Sequence, residues 1–195
     1  MFLQTPPESE GASRLYQQDI DSRGHVMNLS RAWAWRPDVA DSFLALRTLL
    51  TSSSSLTARE RALLVCSAAS SLGDSYCSLA WGKMLADASD GPTAAAVLNA
   101  PDGAGLAPRE QALARWARQV VEDPNATAAK DVEDLRAAGL TDKEIFEATV
   151  FIAFRLAFST VNDALGVHPD WQVAQAAPPE VRDAVTFGRA IAPQA

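Results

Sequence analysis

Residues 56–82 read LTARERALLVCSAASSLGDSYCSLAWG, from Leu56 to Gly82. Thr57 and Glu60 have the spacing of a capping box, in which a hydroxyl takes one free amide and the glutamate reaches back to the cap amide. An Ala/Leu-rich run follows, and Gly73 ends it. Asp74 is a natural N-cap for the next helix, so Ser75, Tyr76 and Cys77 are its first three residues. The stretch therefore predicts two helices, about 57–72 and 75–88, joined by a tight turn.

The opening pattern recurs. Leu56-Thr-Ala-Arg-Glu60-Arg-Ala-Leu63 resembles Leu106-Ala-Pro-Arg-Glu110-Gln-Ala-Leu113, and Leu140-Thr-Asp-Lys-Glu144 is a shorter third version. Thr141 and Glu144 make a second complete capping box, and Pro108 falls where a first-turn proline is tolerated. Helices are predicted over about 107–122 and 141–165. Others are expected over 93–98, over 126–138 before Gly139, over 178–190, and from Pro37 or Asp38 to Thr51 with Phe43, Leu46, Leu49 and Leu50 on one side. A short helix opens at Asn28 and stops before Pro37. Residues 1–11 read as a loose arm and 15–24 as an extended or weakly helical lead-in. Loops are expected at 89–92, 100–105 and 122–125. The organisation expected is an arm over 1–24, a helical domain over 25–177 and a C-terminal helix or tail over 178–195.

Composition agrees with an all-α fold. Hydrophobic residues make up 48% of the 195, with Ala and Leu dominant and no hairpin signal. A chain this long buries roughly 70% of its unfolded surface and needs no staple. The net charge of −7, without a basic block, argues against binding nucleic acid or an anionic membrane. The N-terminus lacks a signal-peptide pattern, and no run approaches the roughly 20 apolar residues of a membrane span. With two cysteines and no export signal, a cytoplasmic protein is expected. Two histidines, His25 and His168, and two cysteines do not supply a metal-ligand set, so no metal or other cofactor is expected.

Cys77 is the candidate for chemistry. A thiol in a first helical turn feels the positive end of the helix dipole, which lowers its pKa, while Asp74 pushes the other way. The alternative is structural: Cys77, Ala80, Trp81, Met84 and Leu85 share a helical stripe, and Cys77 would be core. Cys66 falls mid-helix among Leu63, Leu64 and Ala69 and reads as core. Glu60 is a candidate proton relay, although capping alone explains it. Trp81 could line a pocket beside the thiol, and Trp116 reads as core.

The order of motifs resembles the carboxymuconolactone decarboxylase and alkylhydroperoxidase D superfamily, and within it the peroxidase-related branch. Besides residues 56–82, the resemblance rests on His25-Val-Met-Asn-Leu, Arg36-Pro-Asp-Val, the segments beginning at Leu106 and Asp131, and Asn162-Asp-Ala-Leu-Gly-Val-His-Pro-Asp170. It implies an all-α fold built on a helical hairpin, and a homo-oligomer (dimer, trimer or hexamer). Active members carry a Glu and then Cys-x-x-Cys-x-x-x-His. Here Cys77 matches the second Cys and Tyr76 the preceding aromatic, but Asp74 stands at the first Cys, Trp81 at the His and Ala62 at the Glu. What the resemblance leaves is one-cysteine chemistry. The Cys77 thiolate would attack a hydroperoxide, an external thiol reductant would resolve the sulfenic acid, and Asp74, Tyr76 and Trp81 would shape the pocket. The alternatives are a non-redox descendant that binds a small ligand or acts as a scaffold, and a decarboxylase-like enzyme using Asp74 and Tyr76 for acid/base work.

Overall fold

The computed structural model describes residues 1–99 and 105–194, and within them it is helical, without strands. The loop expected at 100–105 lies largely outside the described residues. The helices are α1 (Glu10–Arg23), α2 (Asn28–Trp33), α3 (Pro37–Ser52), α4 (Ala58–Leu72), α5 (Ser75–Asp87), α6 (Gly91–Asn99), α7 (Pro108–Glu122), α8 (Ala129–Ala137), α9 (Asp142–Ala164), α10 (Trp171–Ala176) and α11 (Pro179–Ala184). A 3₁₀ turn, Pro124–Ala126, precedes α8.

The hairpin of α4 and α5 is the centre of the molecule. Thr57 and Glu60 form the expected capping box, and Gly73 closes α4 in the left-handed conformation at φ 79°. Nearly every residue of α4 from Ala62 to Ala69 is buried, because α5, α7, α9 and α6 all pack on it. Gly82 in α5 permits the approach of α11: a Cβ there would lie 2.6 Å from Val181 Cγ1.

The recurring Leu-x-x-Arg-Glu pattern has a physical purpose. Arg59 donates to Glu110 at 2.6 Å, and Arg109, at the equivalent place in the second copy, donates to Glu60 at 2.6 Å. The two copies thus exchange ion pairs. Arg109 also reaches Glu144 at 2.5 Å and the Gly139 carbonyl at 2.7 Å, which joins the start of α9 to those of α4 and α7. In the second copy only the glutamate arm of the box exists, since Ala107 has no side-chain acceptor; Glu110 accepts from the Ala107 amide.

Some segments differ from the sequence reading. Residues 10–23 form a regular helix, α1, capped by the Ser9 hydroxyl at the start and by Gly24 at φ 80° at the end. The helix expected over 178–190 is confined to α11, and α10 precedes it. On α3 no residue is buried; Phe43 packs inward, whereas Leu46 and Leu49 face outward at 42% and 64% exposure. Both chain ends lie near the start of α5. The Phe2 amide donates to the Leu165 carbonyl, the Ser75 hydroxyl donates to the Arg189 carbonyl, and the Arg189 guanidinium stacks on Phe2 and donates to the Asp163 carbonyl. No helix among the described residues is long and apolar enough to cross a membrane.

Candidate functional site

Asp74 caps α5 by accepting from the Cys77 amide at 2.9 Å. This fixes Cys77 in the first turn, as its sequence predicts, with the side chain turned into the protein. Only 3% of Cys77 is exposed. Two donors from α9 converge on its sulfur. Arg155 Nη2 lies 3.0 Å from Sγ, and the Ser159 hydroxyl lies 3.4 Å away. Arg155 and Ser159 are four residues apart, hence on one face of α9.

Arg155 is itself buried, with 6% exposed. Its guanidinium lies over the ring of Phe158 at 4.9 Å and over that of Trp81 at 5.2 Å. Cation–π contacts of this kind are worth about 2 kcal/mol when desolvated. Among the described residues no carboxylate pairs with it. A narrow cleft of about 10 Å³, room for about one water, lies between α4 and α9. Val65, Ala68, Ala69 and Leu72 line one side, and Arg155, Leu156 and Ser159 the other. The two residues that touch the sulfur therefore also wall the cleft.

Of the opposing influences on Cys77, those that raise its pKa prevail. Burial pushes its thiol up to about 12; the Asp74 carboxylate adds to this, and Arg155 and Ser159 only partly offset it. A helix N-terminus lowers a thiol pKa when water can still solvate the thiolate, and here desolvation wins. Asp74 is fully buried, and its second oxygen has no hydrogen-bond partner among the described residues. Asp163, half-buried nearby, is pushed up to about 7, first by burial and then by Asp74, with Arg189 opposing.

The other sequence candidates separate. Tyr76 donates its hydroxyl to Asp170, whose other oxygen accepts from the Asn28 amide at 2.9 Å. Burial and Asp170 hold Tyr76 well above the usual phenol range. It belongs to a second apolar cluster with Met27, Ala32, Trp33 and Val167. Trp81 lies against Arg155 and packs edge-on to Phe151. Glu60 gives its oxygens to Thr57 and Arg109; burial pushes its carboxyl up, but the hydrogen bonds from Arg109 and Thr57 outweigh it and hold Glu60 below the usual carboxylate range. It sits at the start of α4, roughly 15 Å of helix from the end that meets Cys77. Cys66 is fully buried in the core, where burial pushes its thiol far up. Trp116 is buried, and its indole donates to Thr149 at 2.9 Å. The proposed stripe on α5 is interrupted, since Met84 is 48% exposed. Among the described residues no group of three or more His, Cys, Asp and Glu is placed to hold a metal ion.

Arg155, Ser159 and Asp170 were not singled out from the sequence. A signal for Arg155 exists: it interrupts the apolar run Phe151-Ile-Ala-Phe154-Arg155-Leu-Ala-Phe158, where a charge has no reason to be unless it has a partner.

By sequence, neither a family model nor a curated protein matches the chain. By structure there are clear neighbours. An uncharacterized peroxidase-related protein from Silicibacter sp. TM1040 superposes with a TM-score of 0.80 at 21% identity, over 89% of this chain and 93% of that one. An uncharacterized peroxidase-related protein from Ralstonia eutropha JMP134, described as an alkylhydroperoxidase AhpD core, gives 0.77 at 22% identity, over 96% and 97%. A cysteine-to-alanine variant of the debrominase Bmp8, in complex with 2,3,4-tribromopyrrole, gives 0.71 at 14% identity, over 94% and 95%. The chain has the all-α fold of the alkylhydroperoxidase AhpD core.

Proposed function

We propose that this protein is a peroxidase-related oxidoreductase that reduces a small hydroperoxide at the single thiol of Cys77. The observation that carries the reading is the convergence of Arg155 and Ser159 on Sγ at the wall of a cleft. Both contacts favour a thiolate over a thiol. The sulfur would attack the distal peroxide oxygen as the O–O bond breaks, and the thiol proton would end on the departing oxygen. The products are a Cys77 sulfenic acid and an alcohol or water. An external thiol would then attack the sulfenic sulfur, releasing water, and a second thiol would free Cys77 from the mixed disulfide. Asp74 sets the position of Cys77, and Trp81 holds Arg155. Glu60 has a structural role at the helix starts.

Dimedone trapping after a mild peroxide pulse, read by mass spectrometry, tests this. Cys77 should carry the adduct, Cys66 should not, and Arg155→Met should lose most of it. An unlabelled Cys77 beside a labelled surface-cysteine control would sink the proposal.

One observation favours a second reading. A thiol held near 12 is a poor nucleophile at neutral pH, which suits a non-redox descendant whose pocket binds a small ligand. In that case Cys77→Ser would keep whatever activity or ligand binding the wild type has. We also propose that copies associate through α3, which packs Val39, Phe43 and Leu50 inward only in part and exposes Leu44, Leu46 and Leu49. Light scattering coupled to size exclusion, with Leu49→Asp as the variant, checks this.

A further inference from the structure

Cys77 is closed off in this structure. The cleft beside it holds about 10 Å³, room for about one water, which is too small for a hydroperoxide. A reactant larger than water therefore needs part of the molecule to move. The helices around the sulfur resist this, because α4, α5 and α9 carry much of the buried core.

One boundary is different. Arg155, Ser159 and Asp163 are spaced four residues apart and share a face of α9. The first two touch the Cys77 sulfur, and Asp163, one turn further on, has Asp74 as a charged neighbour. Residues 185–194 cover this end of the seam between α5 and α9, and they lie outside any helix. Gly188 sits on the backbone of Gly73 and Ser75. The Arg189 carbonyl accepts from the Ser75 hydroxyl at 2.8 Å, and its guanidinium donates to the Asp163 carbonyl at 2.7 Å and stacks on Phe2. The His168 ring meets the Ala190 carbonyl at 2.8 Å, and the Ala192 amide donates to the Pro169 carbonyl at 2.8 Å.

This fastening is light beside that of the core. No residue of 185–194 is buried, and a segment with few buried apolar contacts opens at a fraction of the global free energy. Asp74 favours opening as well. It is fully buried with one oxygen lacking a partner among the described residues, and water admitted at the start of α5 would hydrate it.

We propose that residues 185–194, fastened to Ser75, Asp163 and Phe2, are a strap that closes the route to Cys77 along α9, and that local release of the strap admits the reactant. The strap governs access alone; that the reactant is a hydroperoxide rests on the function proposed above.

The experiment labels the full chain with iodoacetamide at one fixed pH in a series of urea concentrations below the unfolding transition. Mass spectrometry reads Cys77 and Cys66 separately. Cys66 is fully buried in α4 and reports opening of the core. In wild type, Cys77 should label at least about tenfold faster than Cys66, with a urea slope well below that of global unfolding, since local opening exposes little surface. Ser75→Ala and Arg189→Gln each remove a fastening, and each should speed Cys77 labelling by about fivefold, the effect of one hydrogen bond. Cys66 labelling should stay unchanged in both, which also shows that the variants remain folded. Labelling of both cysteines together, with the full slope of global unfolding, overturns the proposal. So does a Cys77 rate that neither variant changes, since access would then lie elsewhere. Alkylation needs no peroxide chemistry. A Cys77 that labels through local opening yet forms no sulfenic acid keeps the strap and removes the proposed reaction.

Discussion

Arg155 Nη2 lies 3.0 Å from Cys77 Sγ, and both side chains are almost wholly buried. Asp74, on the other side of the same cysteine, accepts from its amide. A cation and an anion thus act on one sulfur in opposite directions, and burial adds to the anion's effect. The thiol stays protonated at neutral pH.

The rate of Cys77 alkylation by iodoacetamide should therefore rise about tenfold per pH unit between about pH 7 and pH 10, as the thiolate fraction does below a pKa. The raised value near 12 means no plateau in that range. Asp74→Asn keeps a cap-competent side chain and removes the charge, so it should speed alkylation at any fixed pH by up to about tenfold, one pKa unit. Arg155→Met should slow it. A plateau at or below pH 8 in the wild type would show that the thiol is already activated and that burial does not dominate.

Glu60 should matter for stability and not for the thiol. It closes the α4 capping box and receives Arg109 from α7. Glu60→Gln should lower unfolding free energy by about 1–2 kcal/mol, the combined scale of a cap and a partly buried ion pair. A double-mutant cycle with Arg109→Gln should give a coupling of about 1 kcal/mol. Urea melts supply both numbers. Cys77 alkylation in the same variant should stay within about twofold of wild type, since a proton relay would change it and a helix cap would not.

The hairpin that organises the fold was legible because its signals are local. A capping box, a glycine followed by an N-cap aspartate, and an Ala/Leu run between them are readable within one helix length. Weak or short elements were not: α1 is mostly polar, with Ala12 its one buried residue, and α10 is only six residues. The site divides the same way. Cys77 and its capping Asp74 are three residues apart, whereas Arg155 and Ser159 reach the sulfur across 78 and 82 residues. That proximity comes from the packing of α9 on α4, which no local pattern encodes. Likewise the sign of the Cys77 shift depends on burial, and burial is a tertiary property.

Asp163 makes stability depend on pH. Its carboxyl is pushed up from 3.8 to about 7 in the folded state. Between those values the folded chain keeps a proton that the unfolded chain has lost, so stability falls as pH rises. The contribution is complete below about pH 4 and gone above about pH 7. Asp163→Asn removes the buried charge. It should raise the urea midpoint clearly at about pH 8 and less at about pH 5, where the wild-type carboxyl is already protonated. An equal gain at both values would mean that Asp163 titrates normally.

Gly188 ties the C-terminal segment to the helix that carries Cys77. Its φ is +73°, and a Cβ there would come within 2.8 Å of the Ser75 amide nitrogen. Two effects oppose a side chain: the left-handed backbone costs roughly 1–2 kcal/mol for a residue with a Cβ, and the contact is with backbone that cannot swing aside. The segment is also held by Ser75 to the Arg189 carbonyl, Arg189 to Asp163 and Phe2, the His168 ring to the Ala190 carbonyl, and the Ala192 amide to Pro169. Gly188→Ala should therefore release residues 186–194 locally and leave α11 in place, since Val181 and Ala184 are buried independently in the core. Hydrogen exchange should show faster exchange at Ala192, with protection in α4 unchanged. Releasing the segment also uncovers the start of α5, so Cys77 alkylation should accelerate in the same variant. Unchanged exchange at Ala192 would mean that the close approach at Gly188 is not what holds the segment down.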